Sequence, residues 1–533
     1  MWKELDSTQK ATYKKLMTNF ASLSEAFAQK ENDSSDTIIA PIIVSKFQET
    51  AFKRAFNATI EDIGNSSFDA SINNGPDKKY LVGIKSFGVT SGYQKIAQFK
   101  QSSQLENWGE YINNIKQRGK DGKSKEDKDD YKTLAIRIAE LRNKRIESSK
   151  SQLRGFKYKS DVEAVYHVLM PSKAIKNPGE NDKPYIAVGE TSYLPIDENK
   201  IKIEGPTDKN HLQNFRFNDG QHFYQYNSAD SQLLMSFKSD EKAKNNESIS
   251  VAEWPLSYVS DAFDFFANLH DSENDVKTFL QESQNSTLET HPKNNIIENS
   301  FTFKIKTEKR SGFNEWFSKS KSTPKEGETA YLKLISKVRE VFGENSEFEK
   351  NLKYVLFTYF GKEVEKEKRE SIRDDLTNQS KIDENLYEMI RKALWRGVSP
   401  YEVYIPVPNS KKFNHENPDF FKKGAGELLD TKLVAKPEDR SFPIKFIPSG
   451  EELDMILTQS DGKAIQSVDS QYLFGEWVLK NVFQLDDWEL LTEEKLDELG
   501  INAMTFTKYN NGDPMTLEFT YVDPDNPPFD YWE

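Results

Sequence analysis

The stretch FDASINNGPDKKYLVGIKS (Phe68–Ser86) decides how the first part of this chain is read. Two apolar runs flank Asn-Asn-Gly-Pro-Asp, a combination that reads as the turn of a hairpin. Such a hairpin sets Asp69 and Lys85, sixteen positions apart, side by side on neighbouring strands. Tyr80-Leu81-Val82-Gly83-Ile84 has the unbroken apolar character of a buried central strand. A lysine closing such a strand bears a desolvation cost, so its position needs a reason. One reason is structural: Asp and Lys facing each other across a hairpin form an ordinary solvated pair. The other is chemical: a carboxylate beside a lysine can hold Mg2+ against a phosphate and position an attacking water.

The flanks extend the pattern. Upstream, IIVSKFQETAFKRAF (Ile42–Phe56) places Phe47, Ala51 and Ala55 at helical spacing, with Glu49 two positions off that stripe. Residues 7–30 also read as an amphipathic helix. Downstream, TSGYQKIAQFKQ (Thr90–Gln101) reads as the start of a helix. Short strands are expected at Tyr166–Met170 and Tyr185–Val188. The order helix, hairpin, helix, strand implies an α/β (α+β) core. RFNDGQHFYQYN (Arg216–Asn227) reads as a second hairpin around Asn218-Asp219-Gly220. FTFKIK (Phe301–Lys306) alternates as a half-buried strand does.

Residues 327–395 read as mostly helical, with Tyr331, Leu334, Ile335, Val338 and Phe342 on one face. The charge-dense stretches Gly119–Lys132 and Gly361–Asp375 read as solvated. A composition shift near Ser399-Pro400 marks a boundary. Beyond it come short strands (EVYIPVP, PIKFI, DMILTQ, MTFTKY) and one helix, Tyr472–Phe483, expected to bury Leu473, Trp477 and Leu479. That is the pattern of a small barrel-like β domain. The expected domains are 1–320, a helical connection 321–398, and 399–533.

Composition narrows the function classes. A chain of 533 residues needs more than one core. It contains no cysteine and only six histidines, which excludes disulfides, thiolate metal sites and cysteine nucleophiles. There is no phosphate loop of the Walker type and no dinucleotide fingerprint. No apolar run is long enough to span a membrane, and the first residues carry no apolar signal region, so a cytoplasmic location is expected. The net charge is −13. Its distribution is uneven: residues 1–160 hold 28 Lys and Arg against 20 Asp and Glu, while only four Lys or Arg stand among the many acids of 451–533. Such asymmetry is compatible with DNA contact on selected faces and with ordinary surface variation.

The C-terminal segments PYEVYIPVPNSKKFNHENPDFF (Pro400–Phe421), GKAIQS (Gly462–Ser467) and LFGEWVLKNVFQLDDWELLTEEKLDELGI (Leu473–Ile501) resemble the DNA-binding domain of the NgoFVII-type restriction endonucleases. That domain is a pseudobarrel similar to the plant B-three domain and to the effector domain of the EcoRII restriction enzyme. The resemblance covers about the last quarter of the chain. It implies two arms gripping the major groove. Carried over, one arm holds Asn409, Ser410, Lys411, Lys412 and Asn414, and the other holds Lys463, Gln466 and Ser467. These residue types suit base edges and phosphates, and Gly462 lets the main chain approach closely.

Members of that family carry a phospholipase-D-like nuclease with an HxK motif. Here His167, His211 and His222 lack a lysine two positions on, and of the six histidines only His291 has one, Lys293. The Asp69–Lys85 hairpin instead resembles the PD-(D/E)XK nuclease core. Two departures stand out: Gly83 occupies the usual acidic position two before Lys85, and Phe68 stands where proline is common. Within that resemblance Asp69 and Glu49 are the expected Mg2+ ligands and Lys85 the catalytic cation. Gln94 and Gln98 are expected as polar support. The implied activity is sequence-specific hydrolysis of double-stranded DNA by a type II restriction endonuclease, with a homodimer or higher oligomer on DNA as a compatible state. The alternatives are a DNA-binding protein with a degenerate nuclease fold and a repair nuclease without sequence preference.

Overall fold

The computed structural model describes the chain except residues 28–36, 61–67, 76–77, 119–121, 123, 157–160, 239–245, 260–296, 309–311, 315–328, 358–362, 395–400, 459–460, 469–470, 487–488 and 511. The architecture is mixed α/β with a curled eight-stranded sheet in the C-terminal region. The expected boundary at Ser399-Pro400 lies outside the described residues.

Two helices open the N-terminal region, α1 (Ser7–Ser22) and α2 (Ser45–Phe56). Asp6 caps α1 by accepting the Thr8 and Gln9 amides, and Asn57 ends α2 in the left-handed conformation. There follow β1 (Thr59–Ile60), β2 (Ala70–Asn73), β3 (Lys78–Ser86), β4 (Gln94–Gln98) and the thirty-residue helix α3 (Lys125–Arg154). Ser124 caps α3 and Gly155, at φ 77°, terminates it. Next come β5 (Asp161–Pro171), β6 (Tyr185–Ser192), β7 (Lys202–Pro206), β8 (Phe215–Asn218), β9 (Phe223–Asn227), β10 (Gln232–Ser236) and β11 (Ser250–Pro255).

One sheet runs β11-β6-β5-β3-β2-β1. Strands β1, β2 and β3 form an antiparallel meander, and β3 pairs with β5 in parallel. Alternation sorts the side chains. Tyr80, Val82 and Ile84 join Phe52 and Phe56 of α2 in one core, while Leu81, Tyr166 and Val168 join α3 in another. A second sheet, β4-β10-β9-β8-β7, closes over the α3 side. Gln94–Gln98 is therefore a strand rather than a helix start. Its partner β10 lies some 135 residues away in the chain, beyond the reach of local pattern. The hairpin at Asn218-Asp219-Gly220 is present, with Asp219 accepting the Gln221 and His222 amides.

Strand β12 (Ile297–Lys304) precedes the helices α4 (Thr329–Phe342), α5 (Glu347–Phe357), α6 (Glu363–Ser380) and α7 (Glu384–Leu394). Tyr331, Leu334, Ile335 and Val338 are buried in the core these helices share, with Phe342 packed against it. The C-terminal elements are β13 (Ile405–Pro406), α8 (Ser410–Glu416), β14 (Leu428–Leu429), β15 (Lys432–Leu433), β16 (Ser441–Ile447), β17 (Glu452–Thr458), β18 (Ala464–Ser467), α9 (Gln471–Glu476), α10 (Glu493–Leu499), β19 (Ala503–Tyr509), β20 (Met515–Thr520) and β21 (Tyr531–Trp532).

The eight-stranded sheet runs β13-β18-β17-β16-β20-β19-β12-β21. Strand β12 thus belongs to the C-terminal sheet, between β19 and β21, and not with the region 1–320. The helix expected at Tyr472–Phe483 is α-helical only to Glu476 and continues as a π-helical turn, Trp477–Val482. Phe474, Trp477 and Leu479 are buried there, while Leu473 is half-buried.

Helix α3 joins the two halves. Arg145 donates to the carbonyls of Gln98, Asp497 and Glu498, and Lys144 pairs with Glu498 at 2.6 Å. Trp477 Nε1 donates to the Ser151 carbonyl, and Lys79 Nζ reaches the carbonyls of Leu153 and Ser449. Burial pushes the Asp497 carboxyl up to about 6 and the Arg145 guanidinium down to about 10. No helix among the described residues is long and apolar enough to cross a membrane.

Candidate active site and nucleic-acid interface

The hairpin register follows from its turn. Gly75 takes φ 87°, a conformation suited to glycine, and the Asn74 amide donates to the Lys78 carbonyl. Pairing then sets Ala70 against Val82, and the Asp69 amide continues the ladder to the Val82 carbonyl. One step further, at Ile84, the partner is a side chain. The Asp69 side chain takes over: its Oδ2 accepts the Ile84 amide at 2.6 Å and Lys85 Nζ at 3.1 Å. The Lys85 side chain keeps 26% of its surface in water and that of Asp69 32%. Asp69 Oδ1 carries no hydrogen bond to another described residue.

Lys85 is the penultimate residue of β3, at the carboxyl end of the parallel pair β3/β5. Open α/β sheets present their ligand sites at such ends. Helix α2 docks on the same end from the other face. Gln48, fully buried, donates to the Lys85 carbonyl at 3.2 Å, and Ser45 and Ser86 share a 3.0 Å hydroxyl bond. Behind Gln48 lies an apolar pocket holding Tyr13 and His167. His167 Nε2 lies 3.3 Å from the Tyr13 hydroxyl and its ring stacks on Trp2. Burial pushes His167 down to about 3, so the imidazole is neutral at ordinary pH.

The expected residues divide. Asp69 and Lys85 come together. Glu49 lies next to Gln48 on α2, and its ion partner is Lys46 at 3.3 Å. Gln94 and Gln98 sit on β4 of the second sheet, where Gln94 donates to the Gly92 carbonyl and Gln98 accepts from Lys95. The structure supplies a physical reason for Gly83. The Tyr166 ring covers it so closely that a Cβ there would sit 2.6 Å from Cδ1. A carboxylate cannot occupy that position beside Tyr166. Phe68 is buried against Tyr193.

No group of three or more His, Asp or Glu able to hold a metal is found among the described residues. Mg2+ nonetheless needs only one or two protein carboxylates when waters and substrate phosphates supply the rest. Asp69 fits that demand, with Oδ2 fixed by Lys85 and the Ile84 amide and Oδ1 turned to no described donor.

The two expected arms also meet. Asn414, fully buried, donates Nδ2 to the carbonyls of Asp461 and Gly462, and the Ser410 hydroxyl donates to Asp461 Oδ2. Asn414 therefore bolts the arms together and cannot reach a base edge, and Ser467 is likewise buried. Asn409, Lys411, Lys412 and Lys463 are exposed, and Gln466 is half-buried. Lys412 Nζ lies 5.4 Å from the Trp532 ring centroid. Sequence reading missed Gln48, whose signal is a lone amide on the buried face of α2 between Phe47 and Ala51.

Comparison of this sequence with models of known protein families gives no match. Comparison with curated proteins gives none either.

Proposed function

We propose that the chain is a sequence-specific, Mg2+-dependent endonuclease that hydrolyses phosphodiester bonds of double-stranded DNA in a restriction system. The observation that carries this reading is the Asp69–Lys85 pair at the carboxyl end of β3, on a sheet whose order is helix, three-stranded meander, helix, parallel strand. Asp69, joined by Glu49 if α2 turns that side chain inward, would hold the metal. When bound, Mg2+ supplies Lewis-acid stabilisation of the phosphate and a more acidic water. Lys85 presents an ammonium to the charge that develops on the phosphoryl oxygens. Asp69 Oδ2 holds that ammonium in place. The Ile84 amide and Gln48 fix the two ends of the same peptide segment. The exposed lysines of α8 and of the Asp461–Lys463 turn would engage phosphates.

Gly83 under Tyr166 favours a second reading, a DNA-binding protein in which the hairpin is structural. Asp69 then serves only to finish the ladder and neutralise Lys85. Plasmid digestion with Mg2+ and end-sequencing of the fragments separates the two. Discrete ends that vanish in Lys85→Ala support the nuclease. Intact plasmid alongside tight duplex binding supports the second reading, and random ends point to a nuclease without sequence preference.

A further inference from the structure

We infer that the β14–β15 ribbon is a third DNA-contacting element that enters a groove of the duplex beside α8. This rests on the DNA-binding reading above and assigns residues that the two arms do not include. Among the described residues the ribbon's two strands pair only with each other: Leu428 faces Leu433 and Leu429 faces Lys432. Directly opposed residues share a side. Leu433 turns inward, packing against the barrel core, and a Cβ on Gly462 would touch it and Asn414 together. Ribbon, α8 and the Asp461–Gly462 turn thus converge at one point.

The other side is open. Leu429 is 68% exposed and Val434 56% exposed, with Lys432 exposed between them. Two aliphatic side chains in water on a two-stranded ribbon gain nothing from the fold of this chain. The tip is also held at a cost. Asp430 and Thr431 both adopt positive φ, 47° and 72°, and a β-branched residue rarely does so. The result is a tight two-residue turn on a narrow ribbon. The major groove, about 12 Å wide, admits a two-stranded ribbon of this kind.

Charge favours DNA here over the rest of the domain. Residues 409–440 hold seven Lys or Arg against six Asp or Glu, whereas 441–533 hold five against nineteen. The segment carrying the ribbon is thus close to neutral within an acidic domain, with Lys432 set against Glu427 and Asp430 on the ribbon itself and Lys411 and Lys412 beside it on α8. Leu429 and Val434 would lie on thymine methyl groups, and Lys432 would reach a phosphate or a guanine edge.

The test uses the full chain and fluorescence anisotropy with two duplexes. One is a mixed-sequence pool and the other is recovered by wild-type selection from a random library. Leu429→Ser with Val434→Ser should weaken binding to the selected duplex about tenfold and leave the pool unchanged. Lys432→Ala should weaken both and lower the slope of log affinity against log salt by roughly 0.9. Melting temperatures should match the wild type, because all three side chains are exposed. Wild-type affinity for the selected duplex in both variants overturns the inference, and so does a dimer in sedimentation that the double variant abolishes. If the wild type binds and selects no duplex, the DNA reading itself falls. If Lys463→Ala loses affinity while the ribbon variants do not, only the ribbon assignment falls.

Discussion

Gly83→Ala tests the close packing of Tyr166 over Gly83. The added methyl would lie 2.6 Å and 2.8 Å from Cδ1 and Cε1 of Tyr166. Carbon atoms rest at about 3.5–4.0 Å, so the ring must retreat by roughly 1 Å. It has nowhere to go. Tyr166 is 1% exposed, its ring centroid lies 4.0 Å from that of Tyr193, and Phe237 closes another side at 5.1 Å. Strand β3 is held between β2 and β5, so the main chain cannot yield either. Overpacking of this kind costs about 1–3 kcal/mol, and the lack of free space places this site toward the upper end. Equilibrium urea unfolding at pH 7.5 measures it. In a Tyr166→Leu background the same alanine should cost less, giving a coupling of at least about 0.5 kcal/mol. Equal stability of Gly83→Ala and wild type, or an identical cost in both backgrounds, refutes the steric account of Gly83.

Glu49→Gln keeps size and removes charge; cleavage should fall by about 10² or more if Glu49 completes the metal site, and a plasmid assay showing full activity removes Glu49 from it. Burial depresses His167 to about 3, so the unfolded chain takes up its proton below about 6.5 while the folded chain does not. Stability should therefore fall by up to about 1.4 kcal/mol per pH unit as pH drops through that window, a dependence that His167→Phe should flatten in urea titrations at pH 4.5 and 7.5. Asp497 has the opposite sign: its carboxyl is raised to about 6, so the folded state holds the proton better and stability is lost as pH rises from about 4 to about 6. Asp497→Asn should melt higher than wild type at pH 8 and not at pH 4, by calorimetry. A fragment 400–533 lacks β12 and should show no cooperative melt by circular dichroism, unlike 297–533.

Much of the hairpin was legible because its signals are local. Asn74-Gly75 fixes the turn, the unbroken run Tyr80–Ile84 fixes the central strand, and register then brings Asp69 to Lys85. Period 2 also suffices for Phe301–Lys306 as a strand, but its partner Ala503–Tyr509 lies two hundred residues on, so no local pattern could place it in the C-terminal sheet. Gln94–Gln98 was missed for the same reason. In the arms, residue type pointed to base contacts, yet orientation decides, and orientation depends on what packs behind. Asn414 and Ser467 face inward, while Lys411 and Lys463 face out. Gly83 is intelligible only with Tyr166, eighty-three positions later.

The place of β12 bears on how the protein is made. A ribosome adding about 5–20 residues per second needs roughly 10–40 s to travel from β12 to β19. Throughout that interval Phe301 and Phe303 wait on an alternating strand whose two neighbours do not yet exist. The helices α4–α7 emerge and can bury their own core in the meantime. Closure of the sheet awaits Tyr531 and Trp532, which lie far later in the chain and pair with Thr302 and Phe303. Nascent chains stalled before residue 503 should thus be the most vulnerable to edge-to-edge association, and a chaperone that shields extended apolar strands would matter most in that window.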